Sequence, residues 1–281
     1  MGLNQPVWEI LIARETIEGA GVRLHRAFGY HEIPRFDPFL MLDDFRGDSP
    51  ADYVKGFPWH PHRGIETVTY MLDGLIEHGD SMGNAGIVGT GAVQWMTAGS
   101  GIMHEERLPA AERMLGVQLW LNLPAKDKMA PPAYHSIKNS EIEEIAFDWG
   151  KLRLLSGEFE GRKGYISKYL PLNYYDIHLN PNASVIVNTE NERSVMLFTL
   201  LGDAYIGDEL IKEKTAVKLT SGDHVMIKAT DEKAQVLFIS SVMLAQPIAW
   251  GGPIVMNTVE ELNKAFDDLR RGTFLQDKIS Y

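Results

Sequence analysis

Short runs of alternating or continuous apolar residues recur along the chain, and Gly, Asn and Asp turns separate them about every 8–12 residues. Alternation with a period of two predicts strands, because successive side chains of a strand point to opposite faces. The pattern predicts strands at residues 67–72, 75–78, 86–88, 93–97, 115–122, 152–156, 174–179, 195–200, 204–206, 216–219, 224–229 and 234–242. The chain is therefore expected to be an all-β protein.

One helix is predicted near the end of the chain, at about residues 258–271. Thr258 and Glu261 have the spacing of a capping box, in which each side chain satisfies a backbone N–H of the first turn. Apolar residues follow from Leu262 at helical spacing, and Gly272 can end the helix. This helix is expected to pack against a sheet.

The two halves of the chain resemble each other. "TYMLDGLIEHGDS" corresponds to "FTLLGDAYIGDEL", and "GAVQWMTAGSGIMHEE" corresponds to "KTAVKLTSGDHVMIKAT". Such an internal repeat predicts two tandem antiparallel β-barrels. A proline-rich connection, "LPAKDKMAPPAYHS", places the domain boundary after residue 131. The predicted domains are residues 1–131 and residues 132–281, with the helix in the second.

The composition limits the classes of function. The chain has 281 residues and a net charge of −11, and it lacks the basic clusters that nucleic-acid binding requires. It has no cysteine, which excludes disulfides, thiolate metal sites and a cysteine nucleophile. No signal peptide is apparent, and no run approaches the roughly 18 apolar residues of a membrane helix. A cytoplasmic monomer without membrane or nucleic-acid partners is expected.

Two pairs of polar residues form a candidate metal site. His60 and His62 stand at i and i+2, so in an extended chain their side chains point to the same side. This spacing is common, and by itself it favours hydrogen bonding at a surface turn. However, His104 and Glu106 repeat the spacing one hairpin later. The combined nitrogen and oxygen donors suit iron(II), manganese, nickel, copper or zinc rather than calcium.

Other carboxylates compete with Glu106 for the fourth ligand position. Glu66 lies on the same side of its strand as His62 but deeper, whereas Glu105 is expected to point away from His104. Parity along the strands therefore ranks Glu106 first, Glu66 second and Glu105 third.

Several segments are similar in order to those of the pirin family, within the cupin superfamily. They are "DPFLMLDDF", "FPWHPHRGIETVTYMLDG", "VQWMTAGSGIMHEE", "VQLWLNLP" and "GGPIVMNTVEELNKAFDDLRRGTF", which together span nearly the whole chain. The resemblance implies a bicupin of two jelly-roll-like barrels, with one divalent transition metal in the N-terminal barrel. It implies Fe(II) as the first choice, with copper, manganese, nickel, cobalt and zinc as alternatives. The ligands it implies are His60, His62, His104 and Glu106.

The second half is expected to lack this site. Aligned with the first half, it places Asn188, Glu190, Ile227 and Ala229 opposite His60, His62, His104 and Glu106, respectively. None of these four residues is a histidine, so no metal is predicted there.

The resemblance implies an oxidoreductase similar to quercetin 2,3-dioxygenase, which opens the central ring of a flavonol with O₂ and releases carbon monoxide. Glu106 would also accept the flavonol proton as the catalytic residue. Apolar walls are expected from Met71, Val93, Trp95 and Met103. Trp59, where many pirins have a polar residue, is expected to pack. The alternative is a non-catalytic, iron-dependent regulator that binds a protein partner, either in transcription or on a metabolic enzyme.

Overall fold

The computed structural model describes residues 4–276. In chain order its strands are β1 (Val7–Ile12), β2 (Arg14–Glu18), β3 (Val22–Phe28), β4 (Phe39–Gly47), β5 (Phe57–His62), β6 (Ile65–Asp73), β7 (Ile76–Asp80), β8 (Ala85–Val88), β9 (Val93–Thr97), β10 (Ile102–Arg107), β11 (Met114–Asn122), β12 (Ala133–Ile137), β13 (Glu143–Phe147), β14 (Gly150–Ser156), β15 (Glu158–Phe159), β16 (Arg162–Lys163), β17 (Leu172–Leu179), β18 (Ser184–Asn188), β19 (Arg193–Leu201), β20 (Ala204–Ile206), β21 (Glu209–Ile211), β22 (Thr215–Leu219), β23 (His224–Ala229), β24 (Ala234–Val242), β25 (Ala249–Gly251) and β26 (Ile254–Met256). The α-helix is α1 (Val259–Arg271), and short 3₁₀ helices span Pro50–Asp52, Ala125–Asp127 and Asn139–Glu141.

The described residues form two compact units. The unit that contains the candidate site, hereafter the histidine unit, consists of residues 15–31, 39–139 and 244–276. The second unit consists of residues 4–14, 32–38 and 140–243. No helix among the described residues is long and apolar enough to cross a membrane.

The histidine unit contains a seven-stranded sheet in the order β12-β9-β6-β11-β4-β3-β2 and a four-stranded sheet in the order β5-β10-β7-β8. The pairings from β12 to β3 in the large sheet, and those of the small sheet, are antiparallel. Buried side chains of both sheets, such as Leu24, Met71, Ile76 and Val88, form one apolar cluster. The core therefore lies between the two sheets, as in a β-sandwich.

The second unit repeats this organisation strand for strand. Its sheets have the orders β1-β22-β19-β24-β17-β14-β13 and β18-β23-β20-β21. Its core is likewise drawn from both sheets, with Val187, Val217, Ile227 and Phe238 fully buried. The predicted all-β duplication is confirmed, although in the described part of the chain each pair of sheets stays separate rather than closing into one barrel.

The two units are not separated at a single point between residues 131 and 132, where the boundary was predicted, because each unit contains three segments of the chain. Strand β1 pairs with β22 of the second unit, and α1 packs on β25 and β26 of the histidine unit. Residues 4–14 and 244–276 thus belong to units other than those expected from sequence order, because a local pattern does not reveal a distant strand partner. The predicted outer limits at residues 1 and 281 lie outside the described residues.

The predicted helix is confirmed almost to the residue. The Thr258 side chain accepts a hydrogen bond from the Glu261 backbone, and the Glu261 carboxylate accepts one from the Thr258 backbone. Gly272 ends the helix in the left-handed conformation. Ala265 and Asp268 are buried on the face that meets β25 and β26, as expected for a packing helix.

Candidate metal centre

Three neighbouring strands of the small sheet carry the polar residues of the site. In the ladder, His104 of β10 lies opposite His60 of β5 on one side and Asp80 of β7 on the other. Glu106 lies opposite His78. Because strand side chains alternate between faces, these residues share one face of the sheet. The structure thus brings together the two predicted pairs, and it adds His78.

Three imidazoles, His60, His62 and His104, form what we call the outer group. Their ligand atoms all lie within 4.8 Å of one another. The ring centroids of His60 and His62 are 4.9 Å apart, and those of His60 and His104 are 4.2 Å apart. Such close imidazoles are suited to sharing one cation.

Backbone carbonyls orient two of these rings. His60 Nδ1 donates to the Pro58 carbonyl at 2.8 Å, and His62 Nδ1 donates to the Pro253 carbonyl at 3.1 Å. The carbonyls can only accept, so in each neutral ring Nε2 carries the lone pair. The two Nε2 atoms face each other at 3.1 Å. This arrangement is typical of metal-ligating histidines, whose other ring nitrogen is held by a hydrogen bond.

Burial keeps the imidazoles of His62 and His104 neutral. Burial, with a smaller contribution from His60, lowers the pKa of His62 to about 3. Burial, together with the neighbouring histidines, also lowers the pKa of His104 well below its ordinary value. Neither nitrogen of His104 has a hydrogen-bond partner among residues 4–276, although His104 is 1% exposed. A buried, neutral and unpaired imidazole fits a metal ligand, since a cation would satisfy it.

A second set of residues, His78, His104 and Glu106, forms what we call the inner group. Their ligand atoms also lie within 4.8 Å of one another, and all three side chains are buried. Glu106 thus groups with His104 and His78 rather than with His60 and His62.

Sequence reasoning missed His78. The i, i+2 pair of His78 and Asp80 could have revealed it, since that spacing is the one that singled out His60 and His62.

Asp80 fixes His78. Burial alone would raise the pKa of Asp80, but hydrogen bonds from His78, Asn84 and Met82 lower it. His78 Nε2 lies 3.0 Å from Asp80 Oδ2, and the Tyr134 ring stacks on the imidazole at 4.3 Å between centroids. Burial, Asp80 and Glu106 raise the pKa of Tyr134 to about 12, so this phenol stays protonated.

Two glutamine amides hold the Glu106 carboxylate. Gln94 Nε2 donates to Oε1 at 2.8 Å, and Gln118 Nε2 donates to Oε2 at 3.3 Å. The Trp120 indole donates to Gln118 Oε1 at 3.0 Å, which fixes the amide orientation. Each oxygen of the Glu106 carboxylate is therefore held by a neutral amide donor. Neither glutamine stands at a recognisable spacing in the sequence, and register alone brings them here.

The competing carboxylates lie outside both groups. Glu66 accepts a hydrogen bond from Thr97 Oγ1 at 2.6 Å on the large sheet. Glu105 forms an ion pair with Arg107 at 2.9 Å. This placement agrees with their lower ranking from strand parity.

A cavity of about 710 Å³ opens beside the outer group. His60, His62 and Glu106 lie in its lining, together with aromatic residues that include Trp120 and Trp250.

Trp59 also lines this cavity and is 51% exposed, so the expectation that Trp59 packs is wrong. The residues predicted for the walls are instead placed elsewhere. Met71, Val93 and Trp95 are core residues, and Met103 is likewise absent from the described lining.

The matching ladder of the second unit carries apolar residues. If Ile227 corresponds to His104, as aligned, its partners Val185 and Ile206 correspond to His60 and Asp80. Val187 then corresponds to His62, and Ala204 to His78. The alignment of Asn188 and Glu190 with the two histidines is thus corrected by register. The absence of a metal in this unit stays a prediction.

Gly64 connects the site strand β5 to β6 in a left-handed conformation, with φ of +79°. A Cβ there would lie 1.9 Å from the Val255 carbonyl oxygen. We expect Gly64→Ala to lower the free energy of unfolding by clearly more than the about 1–2 kcal/mol that left-handed backbone costs a non-glycine residue. Denaturant titration measures the loss.

Gly83→Ala is the matched control for Gly64→Ala. Gly83 has a φ of +84°, but a Cβ added there would have no atom within 4 Å, so only the backbone cost is expected. Equal losses in the two variants would contradict the predicted clash with Val255.

A duplicated antiparallel β fold with a histidine cluster on the small sheet of one copy defines a bicupin. The chain matches the family model described as Pirin over residues 21–121, and the Pirin C-terminal cupin domain over residues 174–275. The chain belongs to the pirin family.

Individual relatives cover nearly the whole chain. A pirin-like protein of Caulobacter vibrioides is 41% identical, over 96% of this chain and 99% of that protein. Human pirin is 38% identical, over 96% of this chain and 94% of that protein. The crystal structure of a quercetin 2,3-dioxygenase from Acinetobacter baumannii is similar with a TM-score of 0.90, at 32% identity, over 96% of this chain and 98% of that one.

Proposed function

We propose that this protein is a metal-dependent dioxygenase that cleaves the central ring of flavonols with O₂, as quercetin 2,3-dioxygenases do. The observation that carries the proposal is the outer group, whose imidazole lone pairs converge beside a cavity with aromatic walls. The similarity to a quercetin 2,3-dioxygenase structure over 96% of the chain supports it.

We propose His60, His62 and His104 as ligands of one divalent transition metal, with Glu106 as the fourth. The fit rests on the unpaired nitrogens of His104 and on the Nε2 atoms of His60 and His62, which face each other. Mixed imidazole and carboxylate donors accommodate iron(II) and its neighbours in the series, and we propose iron(II) because the chemistry of the proposed reaction requires a redox metal. When bound, such a metal supplies a Lewis acid for flavonol oxygens and a redox partner for O₂.

The cavity walls would bind and orient the substrate. A volume of about 710 Å³ lies within the range of about 300–1,000 Å³ found for small-molecule sites. Trp59, Trp120 and Trp250 present flat faces on which planar flavonol rings can stack. Since Trp59 is half exposed at the cavity, it can also limit the entry of water once a substrate is bound.

Glu106 would accept the proton of the flavonol hydroxyl. Its carboxylate lines the same cavity as His60 and His62, so the substrate can reach it. The Gln118 contact to Oε2, at 3.3 Å, is longer than the Gln94 contact to Oε1, at 2.8 Å. Oε2 is therefore the oxygen more available as a base, while Gln94 keeps the carboxylate in place.

The test uses protein loaded with iron(II), with the iron content measured, and quercetin in air. We expect release of carbon monoxide together with the ring-opened product, in a ratio of one to one. Iron-free protein should release neither. An iron-loaded protein that produces no carbon monoxide would refute the dioxygenase proposal.

A further inference from the structure

We propose that the inner group of His78, His104 and Glu106 is a second cation position, which the same ion occupies in alternation with the outer group. The inference rests on the metal centre of the proposed function but not on the reaction itself. The three residues sit on the adjacent strands β7 and β10, and their ligand atoms all lie within 4.8 Å of one another.

The hydrogen bonds of Asp80 determine which nitrogen of His78 carries the proton. Asp80 accepts from the backbone N–H groups of Met82 and Asn84, at 2.9 and 3.1 Å, and from the Asn84 side chain at 2.9 Å. An ionised carboxylate only accepts, so His78 Nε2 donates to it across 3.0 Å. In the neutral form of the ring, Nδ1 then carries the lone pair.

This lone pair has no partner within the described structure. His78 is 4% exposed, and its Nδ1 makes no hydrogen bond. A carboxylate that holds one ring nitrogen while the other points at further donors is the usual environment of a metal-ligating histidine. The stacked Tyr134 ring keeps the imidazole in this orientation. Glu106 adds a buried carboxylate, 3% exposed, that would balance the charge of a cation.

A purely structural role for His78 would explain its bond to Asp80 but not its unpaired nitrogen. The second unit offers a comparison, because His178 Nε2 bonds Asp176 at 2.9 Å with the same i, i+2 spacing. The His178 side chain is 30% exposed, so water can satisfy its other nitrogen. His78 is 4% exposed, so a cation or an ordered water held in the inner group would have to satisfy it.

The two positions are alternatives because both use His104. A neutral imidazole has a single lone pair, so one His104 serves one ion at a time. Two residues of the outer group, His60 and His62, line the cavity, whereas Glu106 is the one residue of the inner group in the described lining. An ion in the inner position would therefore meet the cavity through Glu106 alone, and one in the outer position through two imidazoles.

Cobalt(II) is the probe, since its visible absorption reports coordination without any turnover. We expect the wild type to bind one cobalt per chain, and His60→Ala/His62→Ala still to bind about one, with an altered spectrum. Adding His78→Gln should remove this remaining binding. Adding Asp80→Asn instead should weaken it by about 10–100-fold, as loss of the carboxylate behind a ligating histidine typically does.

His178→Ala in the same double-variant background is the matched control, and it should leave cobalt binding unchanged. Circular dichroism confirms folding of each variant. A double variant that binds no cobalt would overturn the inference, as would one whose binding is unaffected by His78→Gln. Two cobalt ions in the wild type would also overturn it. These outcomes are independent of carbon monoxide release, so failure of the dioxygenase proposal is distinguishable.

Discussion

His62→Ala is expected to lower quercetin turnover by iron-loaded protein at least about 100-fold, the loss that a displacement of about 1 Å at a reacting centre can produce. His62 is one of three imidazoles in the outer group, and its ring is fixed by the Pro253 carbonyl and packed edge-on against Trp120. Its removal would leave His60 as the one proposed imidazole ligand on the cavity side. Initial rates at saturating quercetin, divided by measured iron content, give the effect.

Iron content separates two causes of lost turnover. If the ion moves to the inner group, the variant keeps iron and loses activity, because the cavity no longer faces the metal. His178→Ala removes a histidine of the second unit that belongs to neither the outer nor the inner group, and it should retain full turnover. His62→Ala protein that retains both iron and wild-type rates would contradict the assignment of His62.

The residues of the candidate site could be predicted because their information is local. In a strand, an i, i+2 pair puts two side chains on one face whichever strands become its neighbours, so His60, His62, His104 and Glu106 could be singled out from spacing. The same reasoning applies to His78 and Asp80. The capping box of α1 is equally local, and it too was predicted.

Other features depend on which strands become neighbours, which one sequence does not show. Gln94 and Gln118 reach Glu106 only because β9 and β11 flank β6 in the large sheet. The walls were misassigned because cavity residues such as Trp250 come from a segment far along the chain. Register explains why Val185, rather than Asn188, corresponds to His60.

Arg63→Met is expected to lower the free energy of unfolding by about 3–5 kcal/mol, the range for breaking a buried ion pair from one side. Arg63 is 2% exposed and pairs with Asp268 of α1 at 2.8 Å. It also donates to the carbonyls of Ser100 and Phe274, each at 2.7 Å, and its guanidinium lies 4.2 Å from the centroid of the Phe274 ring. Methionine would fill the space but leave all three acceptors without this donor.

Thermal unfolding measures this loss, with an expected decrease in Tm of about 6–20 °C for a domain of this size. Arg270→Met is the matched control, because Arg270 pairs with Asp267 on the exposed face of the same helix and is 73% exposed. An exposed pair contributes at most about 1 kcal/mol. Similar losses in both variants would contradict the role of Arg63. Since Arg63 directly follows His62, its loss should also weaken cobalt binding, whereas Arg270→Met should leave cobalt binding unchanged. This difference would connect the buried ion pair to the position of the His62 ring.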